Sequence, residues 1–118
     1  MAVTVDEVRR FAGGLERAYE AVVRGRLKLR VGSLVFVAFS HDETLMGFGF
    51  PKELRQGLVD AEPHKFLLPR AGDMRYNWVV ARLAELDHDE MVELVQDAWA
   101  MCVPKKVSEP YFARMYPK

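Results

Sequence analysis

One stretch of the chain decides its fold: Arg26-Leu27-Lys28-Leu29-Arg30-Val31-Gly32-Ser33-Leu34-Val35-Phe36-Val37-Ala38-Phe39. In its first six residues polar and apolar side chains alternate, which is typical of a strand with one face in water. Gly32-Ser33 has the composition of a two-residue hairpin turn. The last six residues are all apolar, which indicates a central strand that is covered on both faces or nearly so. The stretch therefore predicts an antiparallel hairpin within a larger sheet.

The flanking sequence extends this hairpin into a sheet with helices. Alternation predicts further strands near 44–50 and 75–83, with a short extended piece at 66–68. Helical periodicity predicts helices near 4–12, 52–61 and 88–102, and it favours a helical piece over 15–23 after a break at Gly13-Gly14. Because strands and helices do not alternate strictly, we expect an α+β fold. It has an antiparallel sheet of about four to five strands with helices packed mainly on one face.

Two helix starts carry capping signals. Thr4 is followed three residues later by Glu7, and Asp87 by Glu90, which is the spacing of a capping box. An apolar stripe then follows Asp87 at helical spacing and ends at Cys102. From these patterns we predict that the buried residues include Phe36, Val37, Leu54, Leu58, Leu94, Val95 and Trp99.

The end of the chain is unusually apolar. Pro104 ends the last predicted helix, and the residues after it include Tyr111, Phe112 and Tyr116, which is too apolar a set for a free chain end. We therefore divide the chain into a single domain over 1–107 and a C-terminal tail over 108–118. The tail is expected to dock on the domain or on a partner.

The composition is that of one globular domain. The chain has 118 residues, of which 50% are hydrophobic and 29% are charged, and this length is ordinary for a single domain. With 17 basic and 17 acidic residues the net charge is zero, so the chain lacks the strong positive field of a highly basic nucleic-acid-binding domain. The single cysteine excludes an internal disulfide. We expect a cytoplasmic protein without membrane contact, because neither a signal peptide nor a long apolar span is apparent.

No catalytic or metal-binding set emerges from the reactive side chains. The three histidines are not at the spacing of metal ligands, and no base accompanies the single thiol. Two carboxylates at i, i+4 lie on the polar side of the last helix, where a solvated face is the expected role. We therefore expect no enzyme activity, no bound metal and no cofactor. The residues considered are His41, His64, His88, Glu93, Asp97 and Cys102.

A row of cations is the most pointed feature of the sequence. Arg24, Arg26, Lys28 and Arg30 recur with the period of a strand, so all four are expected on one face, about 6–7 Å apart. Such a row suits weak contact with the phosphates of a nucleic acid. The alternative is a solvated sheet face or an edge strand, where Lys and Arg discourage aggregation.

Other residues can join such a contact. Trp78 and Tyr76, in the strand near 75–83, can stack on bases, and the alternative is that they pack on the sheet. Lys105 and Lys106 add positive charge after the last predicted helix. The candidate nucleic-acid interface then consists of Arg24, Arg26, Lys28, Arg30, Lys105 and Lys106.

Over about residues 4–107 the chain resembles the MmcQ/YjbR family of small bacterial proteins. The order and spacing of several stretches carry this resemblance rather than one diagnostic motif. It implies a two-layer α+β fold described as a double-wing, DNA-binding-like domain. The stretches are 29–39, Pro51-Lys52-Glu53-Leu54-Arg55-Gln56-Gly57-Leu58, Ala61-Glu62-Pro63-His64-Lys65-Phe66, Asn77-Trp78-Val79-Val80-Ala81-Arg82-Leu83, Ala98-Trp99 and Val103-Pro104-Lys105-Lys106.

Together these observations lead to two functional expectations. The first is a small non-enzymatic binding protein of the MmcQ/YjbR type that contacts DNA weakly and non-specifically through the basic strand face. The alternative is a protein–protein adaptor or homodimerising domain with no nucleic-acid role. It would use the sheet face and the tail residues Tyr111, Phe112 and Tyr116.

Overall fold

Six antiparallel strands form one open sheet in the computed structural model, which describes residues 2–118. They lie in the order β1-β2-β3-β4-β6-β5, so the predicted α+β class is confirmed, with one strand more than expected. Four helices accompany the sheet, and none of them is long and apolar enough to cross a membrane. The strands are β1 (Ala18–Val23), β2 (Arg26–Val31), β3 (Leu34–Phe39), β4 (Leu45–Gly49), β5 (Phe66–Leu67) and β6 (Trp78–Arg82). The helices are α1 (Val5–Ala12), α2 (Arg55–Ala61), α3 (His88–Ala100) and α4 (Lys105–Met115).

The β2–β3 hairpin forms as the sequence predicts. Leu29 stands opposite Val37, and Gly32 has the positive φ, 59°, that suits a two-residue hairpin turn. The register shifts after Leu29. Because a bulge of this kind turns two successive side chains toward one face, both Phe36 and Val37 are fully buried. β3 is thereby a central strand, as its apolar run indicates.

Alternate side chains divide the sheet into two faces, and one of them is fully buried at the centre of the sheet. A row of residues crosses four strands on this face, which we call the covered face, and none of its members has any exposed surface. A second row beside it is buried to within 2%. The first row is Leu29, Val37, Phe48 and Val79, and the second is Phe39, Met46, Ala81 and Phe66.

The helices α1 and α3 lie over the covered face. Glu20, which stands opposite Leu29 in the sheet, pairs with Arg9 of α1 at 2.9 Å, and this contact places α1 on that side. α3 packs beside α1, and its buried stripe includes Val95 and Trp99. Strands and helices thus share one hydrophobic core. Neither α1 nor α3 covers the other face of the sheet.

Both predicted capping signals act at their helix starts. The Thr4 hydroxyl accepts a hydrogen bond from the Glu7 amide at 3.2 Å, and the Asp87 carboxylate accepts one from the Glu90 amide at 2.8 Å. The Glu7 side chain has a further contact, because its Oε2 lies 2.6 Å from Nδ1 of His88. This contact ties the start of α3 to α1.

The helical piece expected over 15–23 is wrong, because these residues contain strand β1. Arg17 has a φ of 70°, which turns the chain out of the loop after α1 and into the strand. β1 then pairs along its full length with β2, from Ala18 opposite Val31 to Val23 opposite Arg26. Six backbone positions therefore gain a sheet partner, which outweighs the weak helical pattern of this segment.

The segment after Pro104 is a helix, which the sequence did not predict. α4 packs its Tyr111 ring on Trp99 of α3, with the ring centroids 5.0 Å apart. Gln96 of α3 accepts a hydrogen bond from the Tyr111 hydroxyl at 2.9 Å and donates one to the Tyr116 hydroxyl at 2.6 Å. These contacts hold the C-terminal segment on the domain, although Pro110 lies within the helix and lacks an amide donor.

The predicted core is confirmed at four positions and wrong at one. Leu54 is 62% exposed, because α2 begins only at Arg55 and it is the Arg55 side chain that faces inward. Two other predicted core residues, Leu58 and Leu94, are half-buried. The fully buried ones are Phe36, Val37, Val95 and Trp99.

Candidate nucleic-acid interface

The second face of the sheet, which we call the open face, carries positive charge only. Its strand positions alternate with those of the covered face and point away from α1 and α3. No Asp or Glu occupies a strand position on this face within residues 2–118. The face consists of Tyr19, Ala21, Val23, Arg26, Lys28, Arg30, Val35, Ala38, Leu45, Gly47, Leu67, Trp78, Val80 and Arg82.

Three of the predicted cations lie together on this face, along β2. Arg26 uses its Nε to donate a hydrogen bond to the Phe39 carbonyl at 3.1 Å. Lys28 and Arg30 form no hydrogen bond and no ion pair through their side chains with any residue in 2–118. The Nε atom of Arg30 is also buried without a partner. Because this atom has almost no accessible surface, a ligand can contact Arg30 only through its other guanidinium nitrogens.

Arg24 is not part of the row, which corrects the expectation that all four cations share one face. It forms the two-residue turn between β1 and β2 with Gly25, and both residues have positive φ, 54° and 76°. Such a turn matches the twist of the two strands. The side chain of Arg24 is exposed at the end of the hairpin instead of standing beside Arg26.

Lys105 and Lys106 belong to helix α4 and not to the strand that carries the row. Both are exposed in the first turn of α4, and α4 is held on α3 through Tyr111 and Trp99. The helices α1 and α3 lie over the covered face, and α4 packs on α3, so these lysines are not strand positions of the open face. The structure therefore reduces the predicted set of six cations to one compact group of three.

Trp78 lies across the open face beside the cations. Its indole occupies the space that a side chain at residue 47 would need: a Cβ added to Gly47 would lie 2.6 Å from the indole Nε1. The indole Nε1–H donates no hydrogen bond to residues 2–118, and the ring is half-buried. Tyr76, the other aromatic residue considered, lies before β6 and is 51% exposed.

Arg55 fixes the segment that carries Trp78, and sequence patterns did not reveal this role. The buried guanidinium donates hydrogen bonds to the backbone carbonyls of Tyr76 at 2.8 Å, of Trp78 at 3.1 Å and of Met74. Charge-assisted bonds to three carbonyls hold the entry of β6 in one position. The sequence signal was available but ambiguous, since a charged residue beside Leu54 reads as the solvent side of a helix.

Arg82 is a second residue that sequence reasoning missed, and it lies on the open face. It follows Trp78 and Val80 with strand period, so the same rule that found the β2 row would have found it. Its guanidinium donates to the His64 carbonyl at 3.0 Å and so supports the loop before β5. The side chain is therefore occupied within the chain, unlike Lys28 and Arg30.

The other reactive side chains do not form a chemical site in the described part of the chain. Within residues 2–118 no group of three or more His, Cys, Asp or Glu residues could hold a metal ion. Burial raises the pKa of the Cys102 thiol, which disfavours the nucleophilic thiolate. Burial, and next the neighbouring charge of Glu93, raise the pKa of Asp97. His41 and His64 are exposed, while His88 contacts Glu7.

Comparison with known proteins bears on the fold. No family model matches the chain, and no curated protein matches it. Among solved structures, the chain is similar to the crystal structure of the Deinococcus radiodurans protein DR2400, which carries the family-model domain DUF419. The two share 17% sequence identity with a TM-score of 0.75, over 92% of this chain and 88% of the other. At this identity the likeness shows that the two proteins have the same α+β fold.

Proposed function

We propose that this protein is a small non-enzymatic, cytoplasmic binding protein of the MmcQ/YjbR type, which contacts DNA weakly and without sequence preference through its open face. One observation carries the proposal: Lys28 and Arg30 project from a sheet face that has no carboxylate at its strand positions, and neither side chain has a hydrogen-bond or ion-pair partner within residues 2–118. The sequence resemblance and the shared fold of the DUF419 structure support the assignment to this type of protein.

The expected binding is electrostatic and modest. Each Lys or Arg that neutralises a phosphate releases one condensed counterion, and this release supplies most of non-specific affinity. Only Arg26, Lys28 and Arg30 form the group, and the whole chain has zero net charge, so little long-range attraction adds to the local contacts. Phosphate contacts carry no base information, which accounts for binding without sequence preference.

Titration of labelled DNA at two salt concentrations tests this proposal. The triple variant Arg26→Gln, Lys28→Gln, Arg30→Gln should bind with a plot of log affinity against log salt that is shallower by about 2–3. A matched control removes the same charge elsewhere, through Arg10→Gln, Lys105→Gln and Lys106→Gln. All three control side chains are exposed and lie in the helical layer, so the slope should stay that of the wild type.

Two results would contradict the proposal. One is that the wild-type protein fails to bind any DNA at low salt. The other is that the two triple variants change the salt slope equally, because the open face would then contribute no more than any other positive surface. Melting curves of both variants exclude unfolding as the cause of a loss.

The adaptor or homodimer is the second candidate, and the exposed edge of the sheet favours it. β1 pairs on one side only, and its Val22 is 69% exposed. The C-terminal aromatics offer less: Tyr111 is only 8% exposed and packs on Trp99, whereas Tyr116 is 54% exposed. Sedimentation of the wild type against Val22→Lys tests this candidate, since a charge on the edge strand should abolish any self-association.

A further inference from the structure

We infer that the open face takes single-stranded nucleic acid in preference to duplex, with one base stacked on Trp78 and its phosphate held by Lys28 and Arg30. This inference rests on the proposed function and specifies its ligand. It is carried by the way in which the sheet register places an aromatic ring and unpaired cations on the same surface.

The register sets the distance between the two parts of the site. Lys28 stands opposite Ala38, and Ala38 stands opposite Gly47, whose open side is filled by the indole of Trp78. Two inter-strand spacings, about 9–10 Å, therefore separate the backbone of Lys28 from the backbone beneath the indole. The indole and the cations therefore lie two strands apart on one surface.

The surface between Lys28 and Trp78 carries only small side chains. Ala38 has only a methyl side chain, and Gly47 has none, so no bulky group stands in the row between Lys28 and Trp78. The side chain of Lys28 and the ring of Trp78 thus stand on either side of Ala38, whose small side chain is itself buried between them and their neighbours. The side chains of Lys28 and Arg30 beside this row have no hydrogen-bond or ion-pair partner within residues 2–118, so a phosphate held there displaces no internal contact.

Duplex DNA cannot stack a base on the ring of Trp78. Its bases are stacked on one another and present only their edges in the grooves, whereas a single strand exposes base faces to aromatic side chains. On a duplex the open face would make only its phosphate contacts. A single strand gains stacking in addition, which corresponds to a roughly 5- to 100-fold increase in affinity for one base.

An acidic polypeptide is the competing ligand, and the indole beside the cations favours nucleic acid over it. Cations alone would suffice for carboxylates, and an indole beside them would then contribute little. The half-buried Trp78, with its Nε1–H free of any partner in residues 2–118, matches instead a ligand that has both an aromatic face and a charged backbone. Poly-glutamate is therefore included in the test as the rival probe.

Intrinsic fluorescence makes the test direct, because the chain has two tryptophans with opposite exposure. Trp99 is fully buried, whereas Trp78 is half-buried and is therefore the tryptophan that a ligand can reach. We expect a ten-residue oligothymidylate to quench the Trp78 emission on binding. It should bind roughly 5- to 100-fold more tightly than a base-free sugar-phosphate chain of equal length or a duplex with the same number of phosphates. Poly-glutamate should neither quench the emission nor bind as tightly.

The comparison of oligothymidylate with the base-free chain uses the wild-type protein. Its result therefore does not depend on whether a variant folds. Trp78→Phe provides the second arm: it should keep the salt slope and lose the quenching, with partial loss of the preference for oligothymidylate. Equal affinity for oligothymidylate, base-free chain and duplex would overturn the inference while leaving phosphate contact in place. Tighter binding of poly-glutamate would overturn it in favour of an acidic partner. Failure of all nucleic acids to bind would overturn the proposed function as well.

Discussion

The two faces of the sheet are built from the same strands and differ in almost every other respect. On the covered face, neighbouring strands place Leu29, Val37 and Phe48 side by side, and none of them is exposed. One residue along each strand, the open face has Lys28, Ala38 and Gly47 in the corresponding row. The covered row fills space under two helices, whereas the open row becomes smaller from Lys28 to Gly47.

This difference separates a face whose residues are required for packing from a face whose residues can serve in binding. A covered face needs large apolar side chains because their burial stabilises the fold. The open face needs no large apolar side chains. It nevertheless carries Trp78 over Gly47, and two cations whose side chains have no partner within residues 2–118. Such an arrangement adds little to stability, and it is therefore the part of the molecule in which a ligand is to be sought.

The largest expected effect comes from breaking the covered face. Phe48→Ala should lower the free energy of unfolding by about 3–5 kcal/mol, because it removes a fully buried ring between Val37 and Val79. Chemical denaturation measures the loss. Lys28→Ala is the matched substitution on the open face, and it should change the free energy of unfolding by less than about 0.5 kcal/mol. A similar loss in both variants would contradict the division into two faces.

A smaller effect is expected from filling the open face. Gly47→Val would place side-chain atoms where the indole of Trp78 lies, so the ring must move. Overpacking of this kind typically costs about 1–3 kcal/mol, and acrylamide should quench the displaced Trp78 more strongly than in the wild type. Ala38→Val adds bulk to the next position of the same row without meeting the indole directly. If Gly47→Val leaves the quenching unchanged, the indole does not occupy that space in solution.

The smallest effect concerns the rim of the covered face, where Glu20 pairs with Arg9 at 2.9 Å. Hydrogen bonds from the Arg9 guanidinium hold the pKa of Glu20 below its ordinary value. The pair therefore stabilises the fold above the unfolded-state pKa of about 4.3, and the gain is lost as pH falls through the lower folded-state pKa. Melting temperatures of the wild type and Glu20→Gln should converge as the solution is acidified from pH 6. A difference that stays constant down to pH 2 would contradict this assignment.

The sheet could be predicted from the sequence because its pattern is local. The alternation from Arg26 to Val31 determines which side chains share a face, whatever covers them. The run 34–39 likewise indicates a central strand. For the same reason the cations of β2 were correctly grouped, and the period alone would have added Arg82 to their face.

The parts that sequence patterns missed depend on contacts between distant segments. β1 is a strand because β2 lies beside it, and its turn places Arg24, a residue with no special preference for positive φ, at 54°. That turn removed Arg24 from the predicted row. No spacing within 18–23 could indicate this, since the partner strand supplies the hydrogen bonds.

Helix α4 and the inward-facing Arg55 were missed for a related reason. Pro110 argues against a helix over 105–115 when only local propensity is considered. The packing of Tyr111 on Trp99 provides the compensating stabilisation, and it is not visible in the sequence. In α2, the helical pattern favours an apolar residue toward the core. Arg55 occupies this position instead, because its guanidinium donates hydrogen bonds to three backbone carbonyls.

The role of Arg55 has a consequence for anyone who would transplant this surface to another protein. Copying Lys28, Arg30 and Trp78 onto a different antiparallel sheet would reproduce the chemistry of the surface without its alignment. The backbone of Trp78 is held by the buried side chain of Arg55, which belongs to α2 and not to a strand of the sheet. A graft that omits Arg55 should therefore show a mobile indole and weaker discrimination between ligands, even with every exposed residue in place.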